Sequence, residues 1–240
     1  MNAPSEQIGE TSVASRLAAV RRRIAATAER AGRSEADVRL VVVTKEVTPG
    51  RAAEAIAAGA TDLGENRAQE LVAKQAGLGA DGERVTWHFI GTLQRNKVRD
   101  VVGRAALIHS VDSVALGRTI ASRASAAGRT QDVLLEVNIA GESSKHGLAP
   151  DDVPPALDAL VAETALNVRG LMTIAPESDA DRARATFRAL RELRDELRGR
   201  ARAASLVELS MGMTSDFEAA IEEGATMVRI GSAIFGPRGD

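Results

Sequence analysis

The sequence predicts an α/β protein: a single closed (β/α)8 barrel of the TIM type with an extra helix at its N-terminus. Three observations predict it. Eight short apolar runs alternate with helical patterns to the end of the chain. The runs are nearly continuous in hydrophobicity, as parallel strands covered by helices require, rather than alternating. The length of 240 residues also matches the roughly 250 residues of one such barrel. An open doubly wound sheet is the competing architecture. No linker, repeat or low-complexity tract divides the chain. Residues 12–240 therefore read as one domain behind a polar, disordered lead-in of residues 1–11.

The elements follow in order. Residues 11–32 are rich in Ala, Arg and Leu at helical spacing and end in Gly32, which gives the opening helix. The β-branched run VRLVVVTK, residues 38–45, is the first strand. Later strands are expected over 61–64, 85–91, 106–111, 133–139, 168–174, 206–211 and 227–230. Between them, Thr48-Pro49 reads as an N-cap followed by Pro at the first helical position, with Gly59 closing that helix. Asn66 with Gln69, and Ser215 with Glu218, have the spacing of capping boxes. Gly128 and Gly224 read as helix stops. The Arg- and Glu-rich segment from 179 to about 202 is an amphipathic helix with a solvated charged face.

Composition narrows the function. There are 31 Lys and Arg against 33 Asp and Glu, a formal net charge of -2. No global field therefore favours nucleic acid or an anionic membrane. The absence of Cys excludes disulfides, thiol nucleophiles and Cys-ligated metals. The absence of Tyr removes every mechanism that needs a phenol. No run approaches ~20 consecutive apolar residues, and the lead-in lacks the apolar segment of a signal peptide. A cytoplasmic protein is the expectation. Lys is scarce beside Arg, with only Lys45, Lys74, Lys97 and Lys145, so each invites its own question.

In a barrel of this kind, chemistry sits where strands end and helices begin. Lys45 closes the first strand directly after five apolar or β-branched residues. It reads either as a rim ion pair with Glu46 or Glu65, or as a partly desolvated amine able to condense with an aldehyde. After strands 7 and 8, Ser210, Gly212, Gly231 and Ser232 are small residues. They serve tight turns or let backbone N–H groups approach a phosphate, whose usual site in this fold is that corner. Arg229 lies inside the otherwise apolar run MVRIG. It is either an interior salt bridge, with Glu136 or Glu208, or a donor aimed at a ring nitrogen. Asn66 is a helix cap or an amide near a ring oxygen. His88 and His109 read as hydrogen-bonded core or rim residues, and His146 as a solvated loop residue. Three His so scattered make no zinc site. Trp87 and Phe89, alternating with His88, read as outer packing against helices.

Together, VVVTKEVTP, LGENRAQEL, WHFIGTLQRNK, IHSVDS, VLLEVNIAGESSKHGL, GLMTIAP and LSMGMTSDFEAAIEEGATMVRIGSAIFG resemble the pyridoxal 5'-phosphate (PLP) homeostasis family. The resemblance runs from the first strand to the last. It implies a barrel similar to the N-terminal domain of alanine racemase, with PLP at the strand ends. It further implies that Lys45 forms the internal aldimine and that Asn66 lies near the ring. Arg229 would face the pyridine nitrogen, and Ser210, Gly231 and Ser232 would hold the phosphate. Glu46-Val47-Thr48-Pro49 departs from a more basic turn common in relatives. Arg67 stands where an aromatic is common, and Thr92 and Arg95 where Pro and Ser are; these are rim positions.

The residues also bear on turnover. Chemistry at an amino-acid α-carbon is best served by a protonated pyridine nitrogen, which a charged Arg229 disfavours. The racemase mechanism implied by the resemblance uses a Tyr from a second domain, and neither is expected here. The reading is therefore a PLP carrier or buffer, not an enzyme, with apo-enzymes as recipients and a monomeric state. A PLP-dependent racemase is the alternative. A Schiff-base aldolase and a plain interaction barrel are further readings, separated by what is trapped on Lys45.

Overall fold

β-branched and apolar residues build most strands of the barrel, while the second (DLGE) and the seventh (ELS) are short and carry buried polar residues. The computed structural model describes residues 12–142, 146–176, 179–198 and 206–237. The strands are β1 (Arg39–Val43), β2 (Asp62–Glu65), β3 (Thr86–Phe89), β4 (Leu107–Val111), β5 (Gln131–Glu136), β6 (Leu166–Met172), β7 (Glu208–Ser210) and β8 (Met227–Ile230). They are parallel and close in sequence order, with β8 returning to β1 so that Val42 lies opposite Ile230. The closed barrel is thus the observed architecture. Most expected strands run past the observed ones at their C-terminal ends. There the apolar pattern continues while the backbone leaves the ladder to form the barrel mouth.

The opening helix is α1 (Val13–Arg30), capped by Ser12, whose hydroxyl accepts the Ser15 N–H at 3.1 Å. Its stripe of Val13, Leu17, Val20 and Ile24 is buried. The expected lead-in, residues 1–11, lies outside the described residues. Helix α2 (Pro49–Ala57) begins as its sequence says. Thr48 caps it, Pro49 is its first residue, and Gly59 follows with φ +93°. Next come α3 (Ala68–Leu78), α4 (Ala80–Glu83), α5 (Val98–Val101) and α6 (Val114–Ala126). They are followed by α7 (Val153–Leu160), α8 (Ala180–Arg198), α9 (Phe217–Glu222) and α10 (Ser232–Phe235). Gly128 and Gly224 follow α6 and α9 at φ +64° and +97°, as expected of stops. The part of the long charged helix expected beyond Arg198 falls on residues outside those described.

Both expected capping boxes are corrected. Helix α3 starts two residues after Asn66, with Arg67 at the cap position and no side-chain cap. Helix α9 is preceded by Asp216, not Ser215, and Asp216 accepts from the Met213 N–H at 2.6 Å, tying the turn before the helix. In both places a polar residue with the right spacing serves the loop instead of the helix.

The main core lies between the sheet and the helices and holds Leu63, Phe89, Ile108, Leu135 and Ile230 together with the inner faces of the helices. Trp87 belongs to it, with its indole N–H donated to the Gly82 carbonyl at 2.8 Å. A second, small cluster contains only strand residues, Leu107, Leu134, Met172 and Met227, and plugs the barrel interior. Gly170 lets β6 and β7 close upon each other, since a Cβ there would lie 1.9 Å from the Glu208 carbonyl oxygen. Among the described residues no helix is long and apolar enough to cross a membrane.

Candidate functional site

The closed order of strands places β7, β8, β1 and β2 side by side. It thereby gathers residues that are far apart in sequence. Ser210 ends β7, Arg229 lies in β8 opposite Val41, and Gly231 and Ser232 follow β8. Lys45 stands two residues beyond β1, and Asn66 is the first residue after β2. A Cβ on Gly231 would meet the Val43 carbonyl oxygen at 3.1 Å, so the end of β8 rides closely against the chain that leads into Lys45. All six residues singled out in the sequence therefore lie along one arc of the C-terminal edge. Lys45 is half-buried there and Ser232 is exposed, its hydroxyl 3.2 Å from that of Thr214.

Glu65, one of the two carboxylates weighed for Lys45, pairs with Lys74 of α3, which also donates to the Thr44 carbonyl. Thr44 Oγ1 donates to the same Glu65 oxygen at 2.5 Å. Burial raises the Glu65 carboxyl above its ordinary range, against the opposing effect of Lys74 and Thr44. Sequence reasoning missed this pair. Its signal is that Lys74 shares the buried face of α3 with Ala68 and Leu71, at spacings of three. Arg67 pairs with Glu70 at 3.1 Å and Glu46 at 3.9 Å, so that rim position is an exposed charge cluster. Thr92 and Arg95 are likewise exposed.

Among the described residues, the buried oxygens Glu65 Oε2, Asn66 Oδ1 and Ser110 Oγ, near the C-terminal ends of β2 and β4, have no hydrogen-bond partner. Each such atom costs roughly 1–3 kcal/mol if nothing meets it, so their gathering at one rim fits a polar ligand better than a packed core. Asn66 is held there by Gly91, where a Cβ would come within 2.3 Å of the Asn66 carbonyl oxygen.

Arg229 is buried, with 5% exposure, yet among the described residues no carboxylate lies within ion-pair distance of it. Neither Glu136 nor Glu208 provides the salt bridge weighed above. Instead one guanidinium nitrogen donates to Ser210 Oγ at 2.6 Å and the other to the Thr173 carbonyl at 3.0 Å. Burial pushes its pKa down to about 10, against the more distant charges of Asp216 and Glu136. It remains a cation at neutral pH. His88 and His109 are fully buried, as expected of core residues. Their four ring nitrogens are occupied by Asp62, by each other and by Ser210, which leaves no lone pair for a metal. The signal for His88 facing inward is the outward pair Trp87 and Phe89. His146 is exposed.

A parallel barrel with its polar groups at the C-terminal edge and a lysine just past the first strand is the alanine racemase type of barrel. The family model described as alanine racemase, N-terminal domain, matches residues 15–239. Alanine racemase from Corynebacterium glutamicum superposes with a TM-score of 0.68, covering 93% of this chain and 62% of that one; at 17% identity the likeness is one of fold. The pyridoxal phosphate homeostasis protein of Aquifex aeolicus is 45% identical over 225 residues, 93% of this chain and 97% of its own. PipY of Synechococcus elongatus, solved with PLP bound, superposes with a TM-score of 0.82 at 37% identity, covering 94% of this chain and 100% of that one. The chain belongs to the pyridoxal phosphate homeostasis protein family.

Proposed function

We propose that this chain binds PLP covalently through Lys45 and acts in the cytoplasm as a carrier and buffer of that cofactor, with little turnover of its own. PLP brings an aldehyde that condenses with a primary amine, releasing one water, together with a phosphate and a ring nitrogen. In this reading Lys45 supplies the amine, and residues 12–240 form one PLP-binding domain. Gly231 and Ser232 offer the phosphate backbone N–H groups that the first turn of a helix cannot satisfy internally. The Asn66 amide meets the ring oxygen. Ser210, expected at the phosphate, contributes its place in the backbone there, while its hydroxyl serves Arg229.

The observation that carries this reading is Arg229, a buried cation bonded to neutral oxygens and, among the described residues, to no carboxylate. Such a group is costly unless it has a ligand to serve. A permanent donor facing a pyridine nitrogen keeps that nitrogen unprotonated, which weakens the ring as an electron sink. The sequence also has no Tyr to act as an opposing base. Both points favour a carrier over a racemase. A monomeric state and apo-enzymes as recipients belong to the same reading.

Purified protein should develop an absorbance band on adding PLP. Borohydride reduction followed by peptide mass spectrometry should then find the label on Lys45, and Lys45→Ala should abolish it. No band in the wild type overturns the assignment. A label on Lys145, outside the described residues, would move the attachment site. Sustained racemisation of a single amino-acid enantiomer would replace the carrier with an enzyme.

A further inference from the structure

Five side chains from five strands form an unbroken hydrogen-bonded line inside the barrel. Asp62 Oδ1 lies 2.9 Å from His88 Nε2, and His88 Nδ1 lies 2.9 Å from His109 Nε2. His109 Nδ1 lies 2.8 Å from Ser210 Oγ, which accepts from Arg229 at 2.6 Å. β5 and β6 separate β4 from β7 in the sheet, so the step from His109 to Ser210 crosses the interior instead of following a ladder. All five residues are buried, the Asp62 side chain keeping 12% exposure.

The two ends fix the sense of the line. Ionised Asp62 can only accept, so His88 Nε2 carries a proton; Arg229 can only donate, so Ser210 Oγ accepts. With His109 neutral, as burial holds it, two arrangements fit between them. In the first, Ser210 O–H donates to His109 Nδ1 and His109 Nε2–H donates to His88 Nδ1, and every donor and acceptor is matched. In the second, an added proton on His88 Nδ1 is donated to His109 Nε2, and His109 Nδ1–H is donated to Ser210. The Ser210 hydroxyl proton then loses its acceptor at a position with 0% exposure, and a further cation enters an interior that already holds Arg229. An unmatched buried donor and an added buried charge both oppose the second arrangement. The charged groups around the line are Arg39, 3.8 Å from Asp62, at one end, and Glu136 and Asp216 acting on Arg229 at the other. Burial, with the charges of His88, Arg229 and Arg39, also holds His109 well below the usual histidine range.

We propose that Asp62, His88 and His109 are positioning residues for the PLP site: they lock the Ser210 hydroxyl so that it accepts from Arg229, and so fix the guanidinium at the ring-nitrogen position. The inference rests on the PLP reading above and extends it into the barrel interior. One consequence is that the Ser210 hydroxyl has no proton left to donate to a phosphate.

The test has one arm without PLP and one with it. In the apoprotein, 15N NMR of the imidazoles should show both rings as neutral Nε2–H tautomers at neutral pH. An Nδ1–H tautomer of His109, or a doubly protonated His88, overturns the line. In the second arm, His109→Leu and Ser210→Ala should each weaken PLP binding by about tenfold, the worth of one hydrogen bond to a charged group. Borohydride should still fix the label on Lys45. The double variant should bind PLP as weakly as Ser210→Ala alone, and His109→Gln, which keeps a donor and an acceptor, should recover part of the affinity. Wild-type affinity in His109→Leu, or additive losses in the double variant, overturns the proposal. If His109→Leu does not fold, His109→Gln and the NMR arm decide. Failure of wild-type protein to bind PLP would sink the cofactor reading, while the tautomers would still report on the line.

Discussion

Lys74 and Glu65 form an ion pair inside the protein, with side chains 5% and 0% exposed, and Lys74 also holds the Thr44 carbonyl. The pair thus clamps the backbone immediately before Lys45 from the side of α3. Replacing Lys74 by Met leaves a buried carboxylate with only the Thr44 hydroxyl. This should cost about 3–5 kcal/mol, read from urea unfolding at neutral pH. Glu65→Gln combined with Lys74→Met should recover most of the loss. The carboxyl of Glu65 is already raised by burial, and losing Lys74 raises it further. A group whose folded pKa is raised is least destabilising when protonated, so the Lys74→Met deficit should shrink as pH falls through that raised value.

The strands and the opening helix were legible because burial on both faces of a parallel sheet demands continuous apolar runs, and no competing pattern satisfies them. Thr48-Pro49 was legible because Pro at the first helical position reinforces the Thr cap locally. Asn66 was not. Its spacing to Gln69 matches a cap, but the close approach of Gly91 holds it at the rim with its side-chain oxygen buried and unpartnered. The arc of Lys45, Asn66, Ser210, Arg229, Gly231 and Ser232 could be assembled on paper, because closing eight strands brings the last beside the first. The pairing of Lys74 with Glu65 and the line through His88 and His109 could not. Both depend on which side chains meet across the interior, and strand order says nothing of that.

His109 gives the fold a defined acid limb. Burial depresses its pKa well below the ordinary value, so the unfolded chain takes up a proton that the folded one refuses. For a depressed group, stability is complete above the unfolded pKa, about 6.5, and falls as pH drops below it. The slope attributable to one such proton is about 1.4 kcal/mol per pH unit. Unfolding midpoints of wild type and His109→Gln, compared at neutral pH and at about pH 5, should differ in slope by that one proton. Parallel pH profiles would show that His109 titrates alike in both states.

Gly212 should be far less replaceable than Gly128, although both have positive φ, +91° and +64°. A Cβ on Gly212 would lie 2.5 Å from that of Ala220 and 2.9 Å from the Phe217 Cα, whereas nothing lies within 4 Å of one on Gly128. Gly128→Ala should therefore cost only the left-handed backbone, about 1 kcal/mol. Gly212→Ala adds a clash with α9, for a total of about 2–4 kcal/mol. It should also weaken PLP binding, because the Gly212 carbonyl accepts the Arg229 N–H at 3.0 Å. Thermal unfolding of the two variants side by side measures the difference.

Arg229 separates stability from binding. Among the described residues its buried guanidinium has no carboxylate partner, and burial has pulled its pKa down to about 10. At neutral pH the folded protein therefore carries the desolvation cost of a cation that the unfolded chain keeps in water. Arg229→Met removes that cost and fills the space with an apolar chain of similar length. Against this, Ser210 Oγ and the Thr173 carbonyl each lose a donor, at roughly 1–3 kcal/mol apiece. The two effects oppose each other, so the apoprotein should unfold within about 2 kcal/mol of wild type. On the proposed reading PLP affinity should fall tenfold or more, because the donor proposed for the ring nitrogen is gone. A variant that loses stability and affinity together would mean that Arg229 is a structural strut. One that keeps its affinity would remove Arg229 from the ring. Only the split, near-native stability with weakened binding, fits a cation kept buried for a ligand.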